Sequence, residues 1–147
     1  MSKIWAERCP NKVGALCSFS LHILYTAWHG RSMRVERVVP NLTVADLAQS
    51  VEENRSMLGF EVLMDHGWIV TLGDSEGHQL SFMTADATAS VNPDVSVFVD
   101  DVREALERVE VAGVEIVHPL TEEPWGVTRF FYRDNQGHVI NVGMHTE

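Results

Sequence analysis

The stretch VSVFVDDVREALERVEVAGVEIVHP, residues 95–119, changes its hydrophobic period twice. Val95, Val97 and Val99 recur at every second residue, the alternation of a half-buried strand. At Asp100-Asp101 the period lengthens. Val102, Leu106 and Val109, with Ala105 beside them, fall on one stripe of a helix, and either aspartate can accept from its first free amides. Ala112-Gly113 ends that helix, and a strand follows at Val114–His118. Downstream, Thr128–Tyr132 and His138–Val142 read as two more strands, the last entered through the turn Asp134-Asn135-Gln136-Gly137. The order is strand, helix and three strands.

The same order stands upstream. Arg37 to Val44 alternates, with Val38, Pro40, Leu42 and Val44 on one side and Val39, Asn41 and Thr43 on the other. Pro40 places that strand at an edge or a bulge. Asp46 caps a helix whose stripe is Leu47, Val51 and Leu58, and Gly59 ends it. Strands are predicted at Phe60–Met64, Trp68–Leu72 and Gln79–Met83, separated by the turn chemistry of Asp65-His66-Gly67 and Gly73 to Gly77. Two copies of one unit make an internal duplication. The modules span 33–84 and 94–145, with the small, polar Ala85 to Pro93 as linker. The fold class is α+β, from paired βαβββ modules.

Charge and cysteine usage bound the chemistry. The chain has 147 residues and a net charge of −10, which argues against nucleic acid as a partner because phosphate backbones need Lys and Arg. Residues 1–32 carry Lys3, Arg8, Lys12 and Arg31 against Glu7 alone, so the remainder is the acidic part. Cys9 and Cys17 also lie in that first stretch, and residues 33–147 hold no thiol. This fits a reducing compartment, and the cytoplasm is the expected location. The apolar run Val13 to Ala27 is too short and too polar to span a membrane. Residues 1–32 read as an extension outside the domain, with a secretory signal as the alternative; Tyr25-Thr26-Ala27 before Trp28 is a poor cleavage site.

The phrases Val44-Ala45-Asp46-Leu47 with Met57-Leu58-Gly59-Phe60, and Phe98-Val99-Asp100-Asp101-Val102 with Ala112-Gly113-Val114, resemble the two halves of a vicinal-oxygen-chelate protein. This is the glyoxalase, bleomycin-resistance and extradiol dioxygenase group. Pro124-Trp125-Gly126, Phe130-Phe131, Arg133-Asp134 and Gly137-His138-Val139-Ile140 resemble that family's closing hairpin. The resemblance covers about Met33 to His145. It implies that residues 33–147 form one domain, that each module curls a mixed sheet into a half-open cup, and that the chain pairs as a homodimer with two cavities.

The sheet face opposite the helix-packing residues is then the interior of a cup. It offers Val39, Asn41 and Thr43; Gln79, Ser81 and Met83; Asp94, Ser96 and Phe98; and Val139, Asn141 and Gly143. A few polar groups on an apolar wall suit a small organic ligand. The candidate ligand-binding residues are Asn41, Gln79, Ser81, Asp94, Ser96, Trp125 and Asn141. Trp125 lies in a turn-rich loop, where it either stacks on a planar ligand or closes the barrel or a dimer seam. Phe130 and Tyr132 share one face that could include cavity wall. Where the family's first helix carries an aromatic pair this chain has Glu53-Asn54, so either that helix packs unusually or Asn54 faces the site.

The resemblance places the metal ligands of metal-binding relatives at Val39, Ser81, Asp94 and Asn141. Only Asp94 among these is a good ligand, and a zinc site needs about three from His, Cys or carboxylate. No metal and no cofactor are therefore expected. The histidines show no i, i+4 pair of a helical metal motif, and surface or structural roles are expected for them. His118, at a strand end that would rim the cavity, is the exception worth testing. The expected function is metal-independent binding of a hydrophobic or cationic small molecule, similar to resistance proteins that sequester a ligand in a dimeric cavity. Asp94 and the acidic surface would suit the cation. The alternative is a metal-dependent enzyme of glyoxalase or dioxygenase type.

Overall fold

The computed structural model describes residues 33–146. The expectations for residues 1–32 lie outside the described residues. The elements are β1 (Val35–Thr43), α1 (Leu47–Leu58), β2 (Glu61–Asp65), β3 (Ile69–Gly73), β4 (Gln79–Met83), β5 (Val95–Val99), α2 (Val102–Val111), β6 (Glu115–Glu123), β7 (Val127–Arg133) and β8 (Val139–His145). The strands form one eight-stranded mixed sheet in the order β2-β3-β4-β1-β5-β8-β7-β6. In each half the first strand runs parallel to the last, β1 to β4 and β5 to β8. The two halves join where β1 and β5 pair antiparallel. This is the α+β, twice-βαβββ architecture expected from the sequence.

Local chemistry fixes the elements. Asp46 accepts from the Gln49 amide and caps α1, and Gly59 ends that helix at φ 72° in the left-handed region that glycine enters at little cost. Asp101, not Asp100, caps α2, accepting from the Arg103 and Glu104 amides. The two closing hairpins repeat one turn, Asp74-Ser75-Glu76-Gly77-His78 and Asp134-Asn135-Gln136-Gly137-His138. In both, the aspartate Oδ1 accepts from the amides two and four residues on, and Oδ2 meets the histidine Nδ1. The duplication thus extends to individual hydrogen bonds.

Each module has its own core on the helix side of the sheet. Val70, Leu72 and Phe82 pack with Leu47, Val51 and Phe60. Val99, Val102, Ala105, Phe130 and Val142 pack with Leu106, Val109 and Tyr132. Phe130 and Tyr132 therefore belong to the core and not to a cavity wall. Leu58, expected on the buried stripe of α1, is 62% exposed. Asn54 donates from Nδ2 to the Ser50 carbonyl along its own helix, so it does not face the site. Helix α1 packs on β3 and β4, and α2 on β7 and β8. The middle of the sheet lies between them, and Val38 and Leu42 on the helix-side face of β1 stay 54% and 46% exposed.

The segment Ala85 to Pro93 is more than a linker. The Asp86 side chain is fully buried. Asn92 accepts from the Asp86 amide and donates to Thr43 Oγ1 and the Thr84 carbonyl, which pins the segment to the end of β1. The sequence misleads here because small polar residues look alike in a loop and in a buried hydrogen-bonded turn.

Candidate functional site

On the face away from the helices the curved sheet encloses a cavity of about 290 Å³. Strand pairing lays out its floor. Asn41 pairs with Ser81, Ser81 with Thr71, Val39 with Ser96, and Ser96 with Asn141. Alternation turns all of these side chains the same way. Asn41 and Asn141 each donate from Nδ2 to Ser96 Oγ at 2.9 Å, and Thr71 and Ser81 share a hydroxyl hydrogen bond of 2.8 Å. The Oδ1 atoms of Asn41 and Asn141 and Oε1 of Gln79 are buried without a hydrogen-bond partner. One serine proton cannot satisfy two amide carbonyls, so at least one asparagine oxygen is left for another donor. Buried acceptors of this kind call for one.

Around this floor stand aromatic walls. Trp125, in the turn between β6 and β7, lies 5.8 Å from the His66 ring and 6.1 Å from Trp68, both of the first module. It lines the cavity and bridges the two halves at once. On another wall Phe98 stacks on His145 at 4.9 Å, and the Arg37 guanidinium sits 4.1 Å above the Phe98 ring. Arg37 Nη2 lies 3.0 Å from His145 Nε2. Arginine only donates, so Nε2 is the acceptor and the imidazole proton is on Nδ1. Burial lowers the His145 pKa, Arg37 adds to that, and Glu36 opposes it.

Arg129 also lines the cavity, but its charge is taken up behind it. Nη1 and Nη2 donate to the two oxygens of Asp86 at 2.9 Å, Nε donates to Glu123 at 2.7 Å, and Nη2 donates to Thr88 Oγ1. All three charged side chains are buried. Burial pushes the Asp86 carboxyl up, but the bonds from Arg129 and the Thr88 amide outweigh it, and the net shift is downward. The guanidinium lies 4.8 Å from Phe131 and 5.5 Å from Trp125, so the network braces the aromatic turn from below.

Of the seven expected ligand-binding residues, six line the cavity: Asn41, Gln79, Ser81, Ser96, Trp125 and Asn141. Asp94 does not. Its side chain accepts from the Val139 amide at 2.8 Å, and its carbonyl accepts from the Asn41 amide, so it ties β8 and β1 together at the sheet end. The register puts Ser96 beside Val39 and Asn141 in the sheet. His118, expected at the rim, packs on Phe131 and is not a lining residue. The sequence reading missed Arg37, His66, Trp68, Arg129 and His145 as site residues. Arg37 was legible, since it precedes Val39 and Asn41 on the same face of β1; Arg129 was not, because only tertiary contact pairs it with Asp86.

The fold family implies a metal, and the donors on the floor do not suit one. Asn41, Ser81, Ser96 and Asn141 are neutral and three of them bind one another. Among the described residues no three His, Cys, Asp or Glu side chains gather into a ligand set. These residues do not fit a divalent ion, which needs carboxylate, imidazole or thiolate.

Residues 34–142 match the Glyoxalase/Bleomycin resistance protein/Dioxygenase superfamily, and the chain belongs to it. Several solved structures share the fold. A superfamily member from Vibrio splendidus 12B01 is 22% identical, covering 76% of this chain and 99% of that one, with a TM-score of 0.59. A Legionella pneumophila protein named as an NAD-dependent benzaldehyde dehydrogenase is 16% identical over 75% of this chain and 100% of that one, with a TM-score of 0.61. A methylmalonyl-CoA epimerase from Streptomyces coelicolor is 17% identical over 78% and 98%, with a TM-score of 0.55. At these identities the likeness is one of fold. No curated protein matches the chain. Among the described residues no helix is long and apolar enough to cross a membrane.

Proposed function

We infer that the protein is a small-molecule-binding member of its superfamily that works without a metal, holding a flat, largely apolar ligand in the cavity. The observation that carries this is the floor: four neutral side chains, among them Ser81 and Asn141 at two of the positions where the resemblance places metal ligands, with buried amide oxygens lacking partners. A ligand donating one or two hydrogen bonds to that floor, and stacking on Trp125 or Phe98, would use what the cavity offers. Resistance by sequestration needs nothing more, since stoichiometric binding removes a toxin. The cationic ligand expected from Asp94 loses its support, because that carboxylate bonds to the Val139 amide outside the cavity.

Metal analysis of the purified protein tests the first half of this reading. Less than about 0.1 equivalent of Ni, Zn, Mn or Fe per chain, and a melting point unchanged by a chelator, are expected; about half an equivalent or more, lost together with stability, would refute it. The second half is tested by thermal shift against flat amides and heterocycles, which raise the melting point if they bind only the folded state.

Self-association as a homodimer belongs to the same reading. Support comes from apolar surface at the middle of the sheet, where Val35, Val38 and Leu42 are exposed on β1. Light scattering behind size exclusion reads the mass directly: twice 16.5 kDa is expected, and 16.5 kDa at all concentrations counts against it. A cytoplasmic location is proposed with it and is checked by cell fractionation.

A further inference from the structure

We propose that the cavity selects an aromatic anion, with Arg37 as the group that receives the carboxylate or equivalent acidic oxygen. This rests on the small-molecule reading above and names the ligand's charge class.

The case is one of charge placement. The chain carries a net −10, yet none of the residues lining the cavity is Asp or Glu. The lining cations are Arg37 and Arg129, with His66 and His145 beside them. Arg129 is spoken for, since Asp86 and Glu123 hold three of its donors behind the wall. Arg37 differs in each respect. Among the described residues it makes no ion pair, its one polar side-chain contact is the neutral acceptor Nε2 of His145, and its Nε is buried without a hydrogen-bond partner.

Glu36 acts on this guanidinium through space, but no carboxylate is bonded to it and its inner N–H is unsatisfied. Partial burial of a charge without a bonded partner is unfavourable, and a bidentate oxyanion supplies both the acceptor that Nε lacks and a directly bonded countercharge. Stacking on Phe98 and the contact with His145 hold the planar fork in place before a ligand arrives, which lowers the entropy lost on binding. The aromatic half of the ligand follows from Trp68, Trp125 and Phe98 on the walls. The acidic surface outside does not oppose this, because salt screens exposed charges beyond about 8–10 Å. Arg37 also shares the inward face of β1 with Val39 and Asn41, so an acid seated on it lies along the strand from the amide floor.

The test uses matched trios of probes on one aromatic body: indole-3-acetate, indole-3-acetamide and tryptamine, and the corresponding naphthyl acid, amide and amine. Affinities are read by calorimetry on the full chain. The acid is expected to bind about tenfold or more tighter than its amide, and the amine weakest. Arg37→Gln should erase the acid-over-amide preference, whatever it does to amide affinity itself, and Arg37→Lys should restore part of it. Amide binding by the variant reports that its cavity is folded; the acid-to-amide ratio in the unmodified protein stands even where a variant does not fold. Amide and amine binding as well as the acid, or an unchanged preference in Arg37→Gln, overturns the anion inference and leaves the cavity reading intact. No binding by any member of either trio at millimolar concentration counts against both.

Discussion

Arg129 and Asp86, 43 residues apart in sequence, are joined by two parallel hydrogen bonds of 2.9 Å with both side chains buried. Glu123 adds a third bond at 2.7 Å to the same guanidinium. One cation therefore balances two buried carboxylates, and its removal would leave both uncompensated. Arg129→Met is expected to cost about 3–5 kcal/mol, measured by urea denaturation, because an unpaired buried charge is the expensive outcome. Adding Asp86→Asn to that variant should recover part of the loss. Strict additivity of the two substitutions would mean that the residues are not coupled.

The pH dependence of stability should carry the mark of His118. Burial lowers its pKa from 6.5, the nearby Arg129 charge lowers it further, and Glu123 and Asp86 oppose this. A folded pKa below the unfolded one means that the unfolded chain takes up a proton first as pH falls. The stabilisation is then full above about 6.5 and is lost as pH drops through the lower folded value. The denaturation midpoint is expected to decline from pH 7 to pH 5, and His118→Phe, which keeps the packing on Phe131, should flatten that decline. A midpoint that rises over this range would contradict the assignment.

Gly73, at the end of β3, is tight for a reason other than backbone freedom. A Cβ there would lie 2.9 Å from the His78 carbonyl oxygen and would also press on the Leu63 side chain. The leucine can rotate away, but the carbonyl is held by the Asp74 amide in the repeated hairpin turn. Gly73→Ala should therefore destabilise the protein by about 1–3 kcal/mol in thermal unfolding. A neutral result would show that the hairpin yields more easily than its hydrogen bonds indicate.

Trp125 offers a direct readout of the cavity. Its ring contacts His66 and Trp68 across the gap between modules and has Arg129 beneath it. Trp125→Ala should weaken aromatic probes by about tenfold, the loss of one stacking partner, while lowering stability less than Arg129→Met does. Unchanged affinity for every aromatic probe would assign Trp125 to bridging the halves alone.

Much of the fold was legible because both modules announce themselves locally. The switch from period two to the helical period at Asp101, and again at Asp46, is a property of neighbours in sequence. The inward set Asn41, Ser81, Ser96 and Asn141 followed from alternation alone. Asp94 was misplaced because alternation puts Asp94 and Ser96 on the same side. Only the register of β5 against β1 and β8 shows which of them sits within the sheet and which ties its end. Arg129, Asp86 and Glu123 were missed because nothing in a loop-like Asp or a strand-borne Arg records that they meet.

By itself the sequence determined the elements, their duplication, the face each strand turns inward and the superfamily, because these depend on spacing along the chain and on local turn and cap chemistry. Only the tertiary structure decided that Asp94 bonds to a backbone amide, that Asp86 and Glu123 neutralise Arg129, and that Arg37 lines the cavity with no carboxylate bonded to it. Those outcomes depend on which distant side chains come within about 3 Å of one another, and electrostatic and hydrogen-bond energies fall off too steeply with distance for a pattern of residue types to settle them.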